Sequence, residues 1–179
     1  MTDAIPHGTG ETHDGARLLR YELALSHPRE RVWAAVATPE GLSGWLCAAD
    51  VLEPRLGGAV TLRWLNAGPE GIHHGHVTAW DVDRVAEYTV DLHGRIRFHL
   101  EAEGPAVTVL RFTNEFPGDD ALHLDCLAGW HNHFEFLADA LAGRPKDWTT
   151  WSSRRWQELR KEYANHTDDT AGTAGGSGL

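Results

Sequence analysis

The stretch DDALHLDCLAGWHNHFEFLADALAG, residues 119–143, decides the fold that we predict for this chain. Its large apolar residues recur at alternating steps of three and four, so they share one face of an α-helix. These residues are Leu127, Trp130, Phe134, Leu137 and Leu141. The opposite face, which we expect to be solvated, carries Asp125, Asn132, Glu135 and Asp139. The stretch therefore predicts one long amphipathic helix.

Both ends of this helix are marked in the sequence. Pro117 and Gly118 interrupt the preceding segment, and Asp119 can cap the exposed N–H groups of the first turn. Gly143 stands where a left-handed C-terminal cap belongs, and Pro145 prevents the helix from continuing. The helix is therefore predicted to begin near residue 119 and to end near residue 143.

Alternating apolar and polar residues predict strands in the first two thirds of the chain. The first strand covers residues 19–25, and two short helices follow it, the first of them beginning at Pro28. Further strands are predicted at 47–53, 60–64, 72–82, 85–92, 96–102 and 107–116. Their short connections indicate an antiparallel sheet with one solvated face, and we expect the long helix to cover the other face.

The composition divides the chain into one domain with additions at both ends. Residues 1–15 contain glycine and little that is apolar, so we expect a flexible N-terminal tail. The domain itself covers residues 16–145, and the aromatic residues of 146–166 predict a C-terminal helical extension packed on it. Residues 167–179 cannot bury enough apolar surface to fold and are predicted to form a flexible tail.

The charge and composition of the chain exclude several classes of partner. Its net charge of −10 disfavours binding to nucleic acid, and it has no apolar run of the roughly 20 residues that a membrane-spanning helix needs. The N-terminus does not resemble a signal peptide. Cys47 and Cys126 are too few for a disulfide framework or a structural zinc site and suit a reduced compartment. We therefore expect a cytoplasmic protein that binds neither nucleic acid nor membranes.

Two segments of the chain resemble a known family. SHPRERVWAAVATPEGLSGWL, residues 26–46, is similar to the opening signature of the START-like, SRPBCC superfamily. The end of the domain resembles the closing signature of the branch named for the activator of the heat-shock-protein-90 ATPase. That closing signature consists of Gly129, Trp130, Phe134, Leu137, Leu141 and Gly143. The Gly57-Gly58 turn also stands where that branch places it.

The resemblance implies an α+β helix-grip fold, in which a curved antiparallel sheet of about seven strands wraps around the long C-terminal helix. Many members carry an apolar cavity between this helix and the sheet. Some proteins of the wider superfamily bind lipids, hormones or polyketides, and others are cyclases or hydrolases. The branch offers no universal catalytic residue, and the activators that give it its name bind a chaperone. The resemblance therefore bears on the fold more than on the activity.

Two groups among the 12 histidines invite a functional interpretation. His73, His74 and His76 form the densest cluster, but no acid or cysteine completes a zinc site at a recognisable spacing, so we interpret them as surface residues. His133 flanks the apolar face of the long helix, either as a boundary residue bonded to a carbonyl or water, or as a polar group in a cavity wall. Cys126 lies roughly 10 Å along the helix from His133, which excludes a thiolate–imidazole pair.

The eight tryptophans predict a ligand cavity between the sheet and the long helix. Each large ring can line an apolar wall and leave its N–H group free to orient a ligand. Trp45 is expected near the mouth of the cavity, and His133 is expected to supply a polar contact. The remaining residues of the predicted ligand pocket are Trp64, Tyr88, Phe98, Phe112, Trp130, Phe134 and Leu137.

The predicted function is binding of a small apolar or amphipathic molecule, and two alternatives stay open. The first is a cyclase-like or hydrolase-like enzyme that uses the same cavity, with His133 as acid or base. The second is a co-chaperone or interaction module in which segment 148–163 forms a docking or homodimer surface. Neither a catalytic residue nor a metal or other cofactor is assigned.

Overall fold

The computed structural model describes residues 4–172 and confirms the α+β helix-grip fold, with a curved antiparallel sheet and a long helix against it. The sheet has eight strands rather than about seven. They are β1 (Thr9–His13), β2 (Ala16–Leu25), β3 (Cys47–Leu52), β4 (Ala59–Trp64), β5 (Ile72–Asp81), β6 (Val85–Val90), β7 (Gly94–Ala102) and β8 (Thr108–Pro117). The helices are α1 (Arg29–Ala37), α2 (Pro39–Ser43), α3 (Asp120–Leu141) and α4 (Arg154–Gly172).

The strand order is β1-β2-β8-β7-β6-β5-β4-β3, so the start of the chain pairs with the strand that leads into α3. Ten residues of β2 pair with β8, from Ala16 opposite Pro117 to Leu25 opposite Thr108. Strands β3 to β8 follow one another as antiparallel neighbours, whose short turns match the hairpin spacing of the sequence. Helices α1 and α2 carry the chain from β2 to the opposite edge of the sheet.

The expectation of a flexible tail at residues 1–15 is wrong for β1, which pairs with β2 along its whole length. The glycines that led us to expect a flexible tail instead allow aromatic rings to pack closely against the backbone. A Cβ atom on Gly8 would lie 2.3 Å from the Tyr21 ring, and one on Gly10 would lie 2.1 Å from the His123 ring. The Gly8 N–H also donates to the Tyr163 hydroxyl at 2.8 Å. Residues 1–3 of the predicted tail lie outside the described residues.

Helix α3 begins and ends as its sequence predicts. The Asp119 side chain accepts a hydrogen bond from the Leu122 N–H at 2.9 Å, which caps the first turn. Gly143 follows the helix with a φ of +88°, the left-handed conformation that favours glycine. The predicted apolar face is buried against the sheet, and its members are Leu127, Trp130, Phe134, Leu137 and Leu141.

The opposite face of α3 is only partly solvated, because α4 packs on much of it. Asn132 is buried, and Arg155 of α4 donates to both Glu135 carboxylate oxygens. Arg160 bonds Asp125 at 2.5 Å, so this polar face supplies partners to a second helix. Sequence periodicity identifies a polar face but does not show whether water or another helix covers it.

The C-terminal helix extends beyond its predicted end. Leu159 and Tyr163 of α4 are buried, and the helix continues to Gly172, so the tail predicted from residue 167 begins within a helix. Residues 173–179 of that predicted tail lie outside the described residues. None of the helices between residues 4 and 172 combines the length and the apolar character needed to span a membrane.

Candidate functional site

A cleft of about 660 Å³ opens between the N-terminal half of α3, the adjoining end of the sheet and the first turns of α4. The chain segments that form it are far apart in sequence: the end of β4, the 66–71 connection, the β6–β7 turn and the end of β8. Its aromatic lining consists of three tryptophans, Trp64, Trp130 and Trp156, together with Phe116. A volume of this size suits a small organic molecule.

All three tryptophans use their indole N–H groups within the protein. Trp64 donates to His93 Nε2 at 2.6 Å, Trp130 to Asn114 Oδ1 at 2.9 Å and Trp156 to the Asp125 carbonyl at 3.0 Å. The expectation that an indole N–H remains to orient a ligand is therefore wrong. The tryptophans can offer a ligand their ring faces and edges, while polar contacts must come from other side chains.

His133 lies in the cleft wall and is buried. Its Nδ1 lies 2.9 Å from the Trp45 carbonyl, and because a carbonyl can only accept, Nδ1 carries the proton. The neutral ring then has a lone pair on Nε2, which makes no hydrogen bond to the described residues. Burial lowers the pKa of His133 to about 4, so the ring is neutral at physiological pH.

His93, in the β6–β7 turn, is held in the tautomer opposite to that of His133. Its Nε2 accepts the Trp64 N–H, so in the neutral ring the proton lies on Nδ1. Burial, reinforced by the neighbouring His73 and His133, lowers the pKa of His93 to about 4. The rings of His93 and His133 both pack against Trp64, with centroids 4.8 Å and 6.3 Å from it. His133 therefore offers the cleft a hydrogen-bond acceptor, and His93 offers it a donor.

His73 lines the same cleft, so its interpretation as a surface residue is wrong. Its ring meets that of His93 edge-on at 4.5 Å, and burial lowers its pKa. His74 and His76 are exposed, as expected. The sequence cluster is split because side chains alternate along β5, which places His73 on the cleft side of the strand and His74 and His76 on the other. No group of three or more His, Cys, Asp or Glu side chains among residues 4–172 is arranged to hold a metal ion.

The charges around the cleft do not suit an anionic ligand. No lysine or arginine lines it within the part of the chain that the structure describes. The Asp125 carboxylate is paired with Arg160, and Glu70 stands exposed at the rim. Two exposed leucines, Leu92 and Leu122, complete the rim. Leu92 is 78% exposed and has a φ of +62°, which is unfavourable for a branched side chain.

The structure brings together only part of the predicted ligand pocket. Trp64, Trp130 and His133 line the cleft. Five other predicted residues are packed in the solid core between α3 and the sheet instead: Tyr88, Phe98, Phe112, Phe134 and Leu137. Trp45 is fully buried and donates to the Ala35 carbonyl at 2.8 Å, so its predicted place near the mouth is wrong. Its carbonyl nevertheless fixes the His133 ring.

Three functional candidates were not identified from the sequence: His93, Trp156 and the cleft-lining role of Gly129. A histidine in a hairpin turn gives no signal of burial, and His93 meets Trp64 across 29 residues of sequence. Trp156 belongs to a segment that was interpreted as a docking surface. For Gly129 a signal did exist, because glycine in the interior of a long helix is unfavourable and its presence requires a reason.

Comparisons with known proteins agree with this fold. The crystal structure of CalU16 from Micromonospora echinospora has a TM-score of 0.68 and 19% identity, covering 91% of this chain and 98% of that one. EF2215 from Enterococcus faecalis has a TM-score of 0.70 and 16% identity, covering 90% and 91%. DynU16, a protein in the dynemicin biosynthetic locus, has a TM-score of 0.60 and 18% identity, covering 72% and 48%. No curated protein sequence matches the chain.

The family is shown by the sequence itself. Residues 26–142, about two thirds of the chain, match the model of a single family. These residues run from the segment before α1 to the end of α3, so they include most of the sheet and the helix wall of the cleft. The matching family is described as activator of Hsp90 ATPase homolog 1-like protein, and the chain belongs to it.

Proposed function

We propose that this protein binds a small, uncharged, largely aromatic molecule in the cleft beside the N-terminal half of α3. The observation that carries the proposal is the set of three tryptophans around an open volume of about 660 Å³, each with its polar N–H already satisfied. When the apolar rings of a ligand contact these walls, apolar surface is removed from water. This burial favours binding by about 25 cal/mol per Å² of apolar area.

Gly129 supports the proposal from the helix side. It lies in the interior of α3, where glycine costs about 1 kcal/mol relative to alanine, and it lines the cleft. A Cβ atom at this position would meet only Trp156 Nε1, at 3.9 Å, so close packing does not require the glycine. The residue instead keeps space open between Trp130 and α4.

The observations favour binding over the cyclase or hydrolase hypothesis. A histidine with a pKa of about 4 accepts a hydrogen bond well but is a weak general base near neutral pH, which describes His133. The origin of the fold neighbour DynU16 in the dynemicin biosynthetic locus is in keeping with a small-molecule role.

The docking hypothesis for segment 148–163 is less favoured, because three of its four aromatic residues form hydrogen bonds within the chain. Trp148 donates to the Ser43 carbonyl, Trp156 donates to the Asp125 carbonyl, and Tyr163 accepts the Gly8 N–H. A homodimer or a protein partner through this segment stays a prediction. Truncation after Pro145 followed by a measurement of the oligomeric state tests it.

The proposal is tested first by native mass spectrometry of the purified protein, with extraction of any molecule carried along, and then by calorimetric titration with 2-methoxynaphthalene. Gly129→Leu places a branched side chain in the cleft and is expected to weaken binding at least tenfold. Gly129→Ala is the matched control and should bind within about threefold of the wild type, because its methyl group has room. Equal binding by the wild type and Gly129→Leu, or no binding by the wild type, would contradict the proposal.

A further inference from the structure

The polar groups left over in the cleft define the chemistry of its ligand. Because the three indole N–H groups are occupied, the neutral polar side chains that can meet a ligand in the cleft are those of Asn66, Cys126 and the histidines. Hydrogen bonds within the protein fix the tautomers of two of these histidines. Nε2 of His133 has a lone pair, since Nδ1 holds the proton against the Trp45 carbonyl, and it makes no hydrogen bond to residues 4–172. Nδ1 of His93 has a proton, since Nε2 accepts from Trp64, and this N–H donates to none of the described residues.

We infer that the cleft recognises a neutral hydroxylated aromatic molecule, whose O–H donates to His133 Nε2 and whose oxygen accepts from His93 Nδ1–H. A hydroxyl group has both functions on a single atom, which matches two ring nitrogens of opposite character beside the same tryptophan. The aromatic part of the ligand lies against the cleft-lining surfaces of Trp64 and Trp130, whose rings meet edge to face with centroids 6.2 Å apart. This inference rests on the proposed function and adds its substrate class.

The position of His133 in the cleft wall explains why the hydroxyl is selected. A ligand that displaces water from the Nε2 lone pair must replace its hydrogen bond, which an O–H group does and an ether cannot do. Carboxylates are excluded for a related reason. They lack a proton for His133 Nε2, and the cleft has no lysine or arginine among the described residues to pair with their charge.

Three probes of nearly the same shape test the inference in the wild-type protein. 2-Naphthol carries the hydroxyl and is neutral at pH 7, 2-methoxynaphthalene replaces its proton by a methyl group, and 2-naphthoate is an anion. Calorimetric titration at pH 7 is expected to give 2-naphthol about tenfold tighter binding than 2-methoxynaphthalene, the ratio that corresponds to one hydrogen bond. 2-Naphthoate is expected to bind more weakly than both.

His133→Leu removes the acceptor and should reduce the preference for 2-naphthol to less than about threefold. His74→Ala, at an exposed histidine outside the cleft, is the matched control and should keep the preference. Circular dichroism checks that each variant is folded, and the wild-type comparison of the three probes does not depend on either variant.

The possible outcomes separate this inference from the proposed function. Equal affinity for 2-naphthol and 2-methoxynaphthalene would overturn the hydroxyl inference and leave aromatic binding in place. Tightest binding of 2-naphthoate would overturn it as well, because it would require a cation in the cleft. Binding of none of the probes would overturn the proposed function and, with it, the inference. A full preference retained by folded His133→Leu would exclude His133 as the acceptor.

Discussion

The two halves of α3 lie against the same sheet but pack in different ways. In the C-terminal half, Phe134 and Leu137 are fully buried, and the Phe134 ring lies 5.1 Å from Phe112 and 5.9 Å from Trp45. In the N-terminal half, Cys126 and Gly129 face a cleft of about 660 Å³, and His133, just past the middle of the helix, borders it. A long helix packed on a sheet therefore need not enclose a cavity at the centre of the helix–sheet interface. Here the large aromatic residues fill the centre, and the space remains at one end.

The largest expected difference between the two regions is in stability. Phe134→Ala should lower the free energy of unfolding by about 3–5 kcal/mol, because it leaves a void in a closely packed core. Leu122→Ala, at the rim of the cleft, should lower it by less than about 1 kcal/mol, since Leu122 is 40% exposed. Urea denaturation of both variants measures the two values. Similar losses would show that the cleft region is packed as tightly as the core.

The pH dependence of stability is the next largest effect. His93, His131 and His133 have pKa values lowered to about 4 by burial, below the ordinary 6.5. Between these values the unfolded chain binds more protons than the folded chain, so stability is fully present above pH 6.5 and is lost as the pH falls towards 4. Each histidine contributes up to about 1.4 kcal/mol per pH unit.

This dependence is measured by urea denaturation at pH 7.5 and pH 5. His133→Leu should show a smaller difference between the two conditions than the wild type, by up to about 2 kcal/mol, because one buried titrating group is removed. Wild-type stability that is constant over this range, or that rises as the pH falls, would contradict the burial of neutral histidines at the cleft and beneath α4.

Gly129→Ala should increase the free energy of unfolding by about 0.8–1 kcal/mol, because alanine is the better residue in a helix interior and its methyl group has room. Thermal denaturation at neutral pH measures the gain. An increase would show that the glycine beside the cleft makes the protein less stable than an alanine would. A loss of stability would instead place close packing at Gly129 and contradict an open cleft.

The smallest expected effect concerns Leu92, at the rim. Leu92→Gly should raise the free energy of unfolding by at most about 1 kcal/mol, because glycine adopts the positive φ without strain but gains entropy in the unfolded chain. Leu92→Ala keeps the strained backbone and serves as the control. If Leu92→Gly weakens binding of 2-naphthol while the protein becomes no less stable, the leucine side chain serves the cleft rather than the fold.

The elements of this fold were largely predictable because they depend on local periodicity. The alternating residues of β2 and the three-and-four spacing of α3 both gave elements close to those observed. Strand β1 was missed because a glycine-rich segment has little pattern of its own. Its strand conformation comes from pairing with β2 and from the space that Gly8 and Gly10 leave for neighbouring rings.

The cleft was predictable only in part, for a different physical reason. The sequence identified aromatic residues that face inward, including Trp64 and Phe98, but could not tell which of them fill space and which border it. That distinction depends on contacts between distant segments, such as the hydrogen bond from Trp64 to His93 and the contact between α3 and Trp156. Hydrogen bonding also decided which polar groups remain for a ligand, and no sequence pattern reports it.

The central claim is that small aromatic molecules bind in the cleft, and the tryptophans themselves can report it. In a ¹⁵N–¹H correlation spectrum with assigned indole signals, addition of 2-naphthol should shift the signals of Trp64, Trp130 and Trp156. The signals of Trp33 and Trp80, which pack against each other and do not line the cleft, should stay in place. Shifts confined to Trp33 and Trp80, or saturating 2-naphthol with no change at the three cleft tryptophans, would contradict the account.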